Sequence, residues 1–83
     1  MHEIIISPIA SEKTTLNMEK ENTLTFLVDR RATKPEIKKE VETRFQVKVI
    51  DIRTMIFKGG KKAIVRLSSD NSADEISGRI GVF

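Results

Sequence analysis

Residues 46–67 read QVKVIDIRTMIFKGGKKAIVRL, and the fold turns on them. Val, Ile, Thr and Phe crowd both flanks, the residue types that fit a pleated, half-buried surface. Between the flanks lies Lys58-Gly59-Gly60-Lys61. Glycine accepts the positive φ that a two-residue hairpin turn demands. The stretch therefore reads as a long strand from Gln46 to Phe57, a turn at Gly59-Gly60, and a return strand from Lys62 to Leu67. On the first strand Ile50, Ile52 and Ile56 share one face, and Val47, Val49, Met55 and Phe57 share the other. Apolar groups on both faces predict a central strand covered on both sides. On the return strand Ala63, Val65 and Leu67 oppose Ile64 and Arg66.

The same hairpin is basic. No acidic residue falls between Asp51 and Asp70, while Arg53, Lys58, Lys61, Lys62 and Arg66 do. The whole chain carries a net charge of only +3. Concentrated positive charge, rather than the total, is what a phosphate backbone answers to.

Upstream, Thr33-x-x-Glu36 is a capping box with Pro35 in the first helical turn, where a missing N–H costs nothing. Ile37, Val41 and Phe45 recur at i, i+4, i+8 and make one apolar stripe; Lys38, Lys39, Glu42 and Arg44 cover the other faces. Asp29-Arg30-Arg31-Ala32 is the loop before it. Thr23 to Val28 is a strand with Leu24, Phe26 and Val28 on one face. Nearer the start, Ile4-Ile5-Ile6-Ser7-Pro8 is an extended segment stopped by Pro8. Ser11 caps a short helix from Glu12 to about Met18, with Leu16 and Met18 inward and Asn17 and Asn22 bracketing a turn. Downstream, Ser72-x-x-Glu75 opens a last helix through Ile80, ended by Gly81. Mixed antiparallel strands with packed helices make an α+β layer protein.

Composition narrows the function. Eighty-three residues make one domain, with 39% hydrophobic and 33% charged residues, a folded rather than disordered balance. Cysteine is absent and histidine occurs once, as His2, read as a solvated terminus, so neither a disulfide framework nor a metal site is on offer. The longest apolar run, Ile4-Ile5-Ile6, is far too short to span or insert into a membrane; the expected place is the cytosol. No nucleophile–base set, paired carboxylates or phosphate-binding glycine loop occurs, so no catalytic residues, cofactor or small-molecule substrate are expected.

The ordered set of short motifs resembles a known family. Ser7-Pro8-Ile9-Ala10-Ser11-Glu12-Lys13, the strand to Val28, Ala32-Thr33-Lys34-Pro35-Glu36-Ile37-Lys38, Val41-Glu42-x-x-Phe45-x-Val47-x-Val49 and Lys61-Lys62-Ala63-x-Val65-Arg66-Leu67 are similar to the archaeal form of the twenty-third protein of the large ribosomal subunit. The tail Arg79-Ile80-Gly81-Val82-Phe83 continues the likeness. The resemblance implies a four-stranded antiparallel sheet with packed helices, of the ferredoxin-like or split β-α-β type, in one RNA-binding domain over residues 1–83. It implies binding to large-subunit ribosomal RNA near the polypeptide exit tunnel, beside neighbouring large-subunit proteins. It also implies a platform for the signal recognition particle and the protein-conducting channel. Two departures stand out. Bacterial relatives carry a long basic extension in the hairpin, whereas this loop is only Gly59-Gly60. Relatives often show Val-Asn-Thr where this chain has Ile52-Arg53-Thr54.

Candidate RNA contacts are Lys13, Arg30, Arg31, Lys34, Lys38, Arg53, Lys58, Lys61, Lys62 and Arg66. Each has a plainer alternative: Lys38 pairs with Glu42 at i+4, edge lysines deter aggregation, and Phe57 either stacks on a base or packs in the core. Glu12 matches the glutamate through which bacterial relatives dock a chaperone; its alternative is stabilising a helix dipole. The competing function from another class is a protein-interaction adaptor whose basic surface meets an acidic partner outside the ribosome.

Overall fold

Helix boundaries follow local hydrogen bonding. The computed structural model describes residues 3–80; the readings of His2, Gly81 and the tail to Phe83 lie outside them. Strand β1 (Ile5–Pro8) leads to helix α1 (Glu12–Glu21). Ser11 Oγ accepts the Thr14 N–H at 3.2 Å, and Thr14 Oγ1 accepts the Ser11 N–H at 2.7 Å, so threonine completes the capping box. The helix runs past Met18 to Glu21 and stops at Asn22, which adopts the left-handed conformation (φ 58°). Asn17 thus lies inside α1, not at a turn. Met18 is buried as expected, but Leu16 is exposed. Strand β2 (Thr23–Val28) precedes α2 (Lys34–Phe45), capped reciprocally by Thr33 and Glu36. The long strand does not begin at Gln46, because Gln46 is the left-handed cap (φ 55°) that ends α2. Strand β3 is therefore shorter (Val49–Phe57), followed by β4 (Gly60–Leu67) and α3 (Ala73–Ile80).

The strand order is β1-β2-β4-β3, with every neighbouring pair antiparallel. Since β2 and β3 both oppose β4, they are parallel to each other, and β2–α2–β3 is a split β-α-β unit with β4 inserted. The expectation of a covered central strand is overturned for β3, which is an edge. The interior strands are β2 and β4. A register shift between Val49 and Asp51 is the physical reason the alternation misled: it turns Val49 and Ile52 to the same buried side and leaves Ile50 exposed.

One core joins all three helices to one face of the sheet. Leu24, Phe26, Val28, Ala63, Val65, Leu67, Val49 and Ile52 meet Met18, Ile37, Val41, Ala73 and Ile76 there. Phe45 packs on that cluster, its ring stacked on Phe26 at 5.7 Å. Complete burial of an Ile or Val is worth about 1.5–3 kcal/mol, so Ile37 and Val41, both fully buried, fix α2 over the sheet. The alternate positions contribute nothing to this cluster: Thr23, Thr25 and Leu27 on β2, Lys62, Ile64 and Arg66 on β4, and Asp51, Arg53, Met55 and Phe57 on β3. They make the second, helix-free face, on which Thr23 and Thr25 are nonetheless buried.

Asn22 fastens the two halves of the chain. Its Nδ2 lies 3.3, 3.2 and 2.7 Å from the carbonyls of Leu67, Ser68 and Asn71, and its Oδ1 accepts the Ala73 N–H at 2.7 Å. That last bond satisfies a free amide at the start of α3. Ser72 Oγ serves the same turn by accepting the Glu75 N–H, as the Ser72-x-x-Glu75 pattern predicts.

Candidate nucleic-acid interface

The β3–β4 turn closes one residue earlier than the glycine pair suggests. Phe57 pairs with Gly60, so the turn residues are Lys58 and Gly59. Only Gly60 has a positive φ, at 136°. Gly59 instead lies under a neighbour: a Cβ there would sit 2.7 Å from Phe57 Cε2 and would displace that exposed ring. The Phe57 ring is folded over the turn, with the Lys62 ammonium 5.7 Å from its centroid, within cation–π range. This supports the turn and leaves the exposed Lys58 at its tip.

The β2–α2 loop lies beside this turn. Val28 pairs with Lys61, and Lys61 Nζ donates to the Ala32 carbonyl at 2.7 Å. Lys61 is thus half-buried and tied to the loop, while its neighbours Arg30, Arg31 and Lys34 are exposed. Together with Lys58 and Lys62 they gather at one end of the molecule. Arg31 is partly answered locally: Nε and Nη2 reach Asp29 at 3.1 and 3.2 Å. Hydrogen bonding to Asp29, then its charge, raises the Arg31 pKa above its ordinary value.

Arg53 and Arg66 extend the positive strip along the helix-free face. They are not free of acids, contrary to the local sequence. Arg53 Nη2 lies 3.8 Å from Glu21 Oε2, and Arg66 is paired in register with Asp51. Both acids arrive from outside the Ile52–Ser69 interval. Lys38 borders a groove with Lys34, Pro35 and the Val49–Ile52 segment. Among the described residues no ion pair joins it to Glu42, whose Oε2 accepts the Val49 N–H at 3.0 Å. Lys13 and Glu12 are exposed on the first turn of α1, which follows β1 at the opposite edge of the sheet from β3. The structure therefore gathers nine of the ten candidates on the hairpin end, the helix-free face and the α2 groove, and sets Lys13 apart.

Sequence reasoning passed over Ile50, Met55 and Ile56, all more than 45% exposed beside these cations. An apolar strand looks alike whether it is interior or at an edge, so the signal was absent. Among the described residues no group of three potential metal ligands occurs, and no helix is long and apolar enough to cross a membrane.

The chain matches the family Ribosomal protein L23 over residues 3–72. It is 65% identical to the large ribosomal subunit protein uL23 of Picrophilus torridus over 79 residues, covering 95% of this chain and 96% of the relative. It is 60% identical to that of Thermoplasma acidophilum over 81 residues, covering 98% and 96%. Identity to that of Haloquadratum walsbyi is 45%, over the full length of both chains. A four-stranded antiparallel sheet with one face packed by three helices, carried on a sequence that aligns over nearly its whole length with these relatives, belongs to the ribosomal protein L23 family.

Proposed function

We propose that this protein is a structural constituent of the large subunit of the cytoplasmic ribosome, binding large-subunit RNA through the hairpin end and helix-free sheet face, near the exit of the polypeptide tunnel. Its chemistry is charge neutralisation and fit to RNA shape, with no reaction catalysed. The observation that carries the RNA-binding reading is the cluster of Arg30, Lys34, Lys58 and Lys62 around one turn, continued by Arg53 and Arg66 on the sheet face away from the helix-packed core. Guanidinium groups there bridge phosphates or lie against unpaired bases. Neighbouring large-subunit proteins complete the surroundings. On the first turn of α1, Lys13 remains a candidate RNA contact, and Glu12 beside it is the resemblance-based docking residue for factors such as the signal recognition particle and the protein-conducting channel.

The test is the salt dependence of binding to a large-subunit RNA fragment. Lys58→Ala, Lys62→Ala and Arg66→Ala combined should flatten the slope of log affinity against log salt by roughly two to three. Lys38→Ala, Lys39→Ala and Arg44→Ala combined should flatten it less, because Glu40 Oε2 already holds Arg44 at 2.7 Å. Equal slopes for the two triples would remove the hairpin from its principal role.

A further inference from the structure

The two edges of the sheet are built differently. Strand β1 has only four residues, includes Pro8, and shifts register between Ile5 and Ser7. Such features blunt an edge against pairing. Strand β3 has nine residues and no proline, and beyond the irregularity at its start it runs unbroken from Ile52 to Phe57.

Hydrogen bonding fixes which β3 groups face outward. Leu67 donates its N–H to the Asn22 carbonyl, away from β3, whereas Ser68 donates to Lys48. Val49–Leu67 is therefore a non-hydrogen-bonded pair, and the outward Val49 N–H is satisfied by Glu42. Alternation along an antiparallel ladder then directs the N–H and C=O groups of Ile52, Thr54 and Ile56 away from β4. The chain satisfies the first rung of this edge itself and leaves the next three.

Along this edge Ile50 is 57% and Ile56 62% exposed, while Ile52 between them is buried and Thr54 half-buried. Aliphatic groups offer a nucleic acid neither charge nor a ring to stack on. Lys34 and Lys38 of α2 border the groove where the edge begins, against the single acid Asp51. We infer that the β3 edge receives an extended segment of another protein, aliphatic and acidic in character, as an added strand paired with Ile52, Thr54 and Ile56. Main-chain pairing supplies affinity and the alternate side chains supply selectivity.

Hydrogen exchange on the full chain tests this with two synthetic probes, an extended peptide alternating Glu with Val or Ile and its counterpart with Lys for Glu. At about ten times its dissociation constant the acidic peptide should slow exchange of the Ile52, Thr54 and Ile56 amides about tenfold. The inward Arg53 and Met55 amides should not respond. The basic peptide, and an acidic peptide N-methylated at alternate amides, should have no effect. Thr54→Pro should abolish the acidic-peptide effect while RNA affinity stays unchanged, because the Thr54 N–H serves no bond within the fold. Failure of the acidic peptide to protect these amides overturns the inference. So does protection produced by a large-subunit RNA fragment alone, or by raising the concentration of this protein alone.

Discussion

Asn22 answers a conformational demand and a bonding demand together. It sits at positive φ, where asparagine is tolerated better than most residues, and its amide holds the Leu67–Ala73 connection. Asn22→Asp keeps the shape but removes both amide hydrogens and turns a carboxylate oxygen toward three carbonyls. A loss of about 2–3 kcal/mol is expected, read from the urea midpoint. Asn22→Gly, which relieves the backbone and loses only the side-chain bonds, should cost less. The adjacent Thr23 behaves in the opposite sense: its hydroxyl is buried and has no hydrogen-bond partner. Thr23→Val preserves volume and removes that orphan group, so the variant should be more stable by about 1 kcal/mol. At the turn, Gly60→Ala forces a Cβ onto φ 136° and should cost about 1–3 kcal/mol in the same assay. Arg31 adds no pH dependence near neutrality. Its raised pKa gives a contribution that rests on the Asp29 carboxylate and is lost as pH rises into strong alkali.

Elements show how far the sequence could be read. Helix α2 was legible because Thr33, Pro35 and Glu36 are a local code and Ile37 and Val41 keep helical spacing; nothing distant alters either. The hairpin was legible for the same reason, though the placement of its turn was not, since that depends on where Phe57 finds its partner. The rank of β3 within the sheet was hidden. It is decided by β2 pairing with β4, and no residue of β3 records that choice. Likewise the acids facing Arg53 and Arg66 come from α1 and from the cross-strand position on β3. The candidate site was thus readable as a set of cations but not as a charge balance. Lys61 joins two of these elements, and Lys61→Ala should loosen the loop it holds. Faster amide exchange at residues 29–33, with about 1 kcal/mol lost overall, is the expected result; unchanged exchange would make the Ala32 contact incidental.

The whole molecule measures 30 × 26 × 21 Å. Screening limits the reach of an exposed charge to about 10 Å at 0.1 M salt. Across such a body the exposed acids of α1 cannot cancel the basic turn at the far corner, so a net charge of +3 understates the field at the hairpin end. The strand order has a different consequence, for the birth of the protein rather than its use. Strand β4 is the last strand synthesised, yet it lies between β2 and β3. Until it leaves the ribosome that made it, β2 and β3 have no common neighbour, and Asn22 has nothing to fasten. Contacts of long sequence separation form only after the loop-closure entropy is met. A chain ended at Phe57 should therefore show no cooperative unfolding by circular dichroism, although it contains three of the four strands and two of the three helices. Each new copy is obliged to wait, the apolar side of β3 uncovered, until residues 60–67 emerge and join β3 to the rest of the sheet.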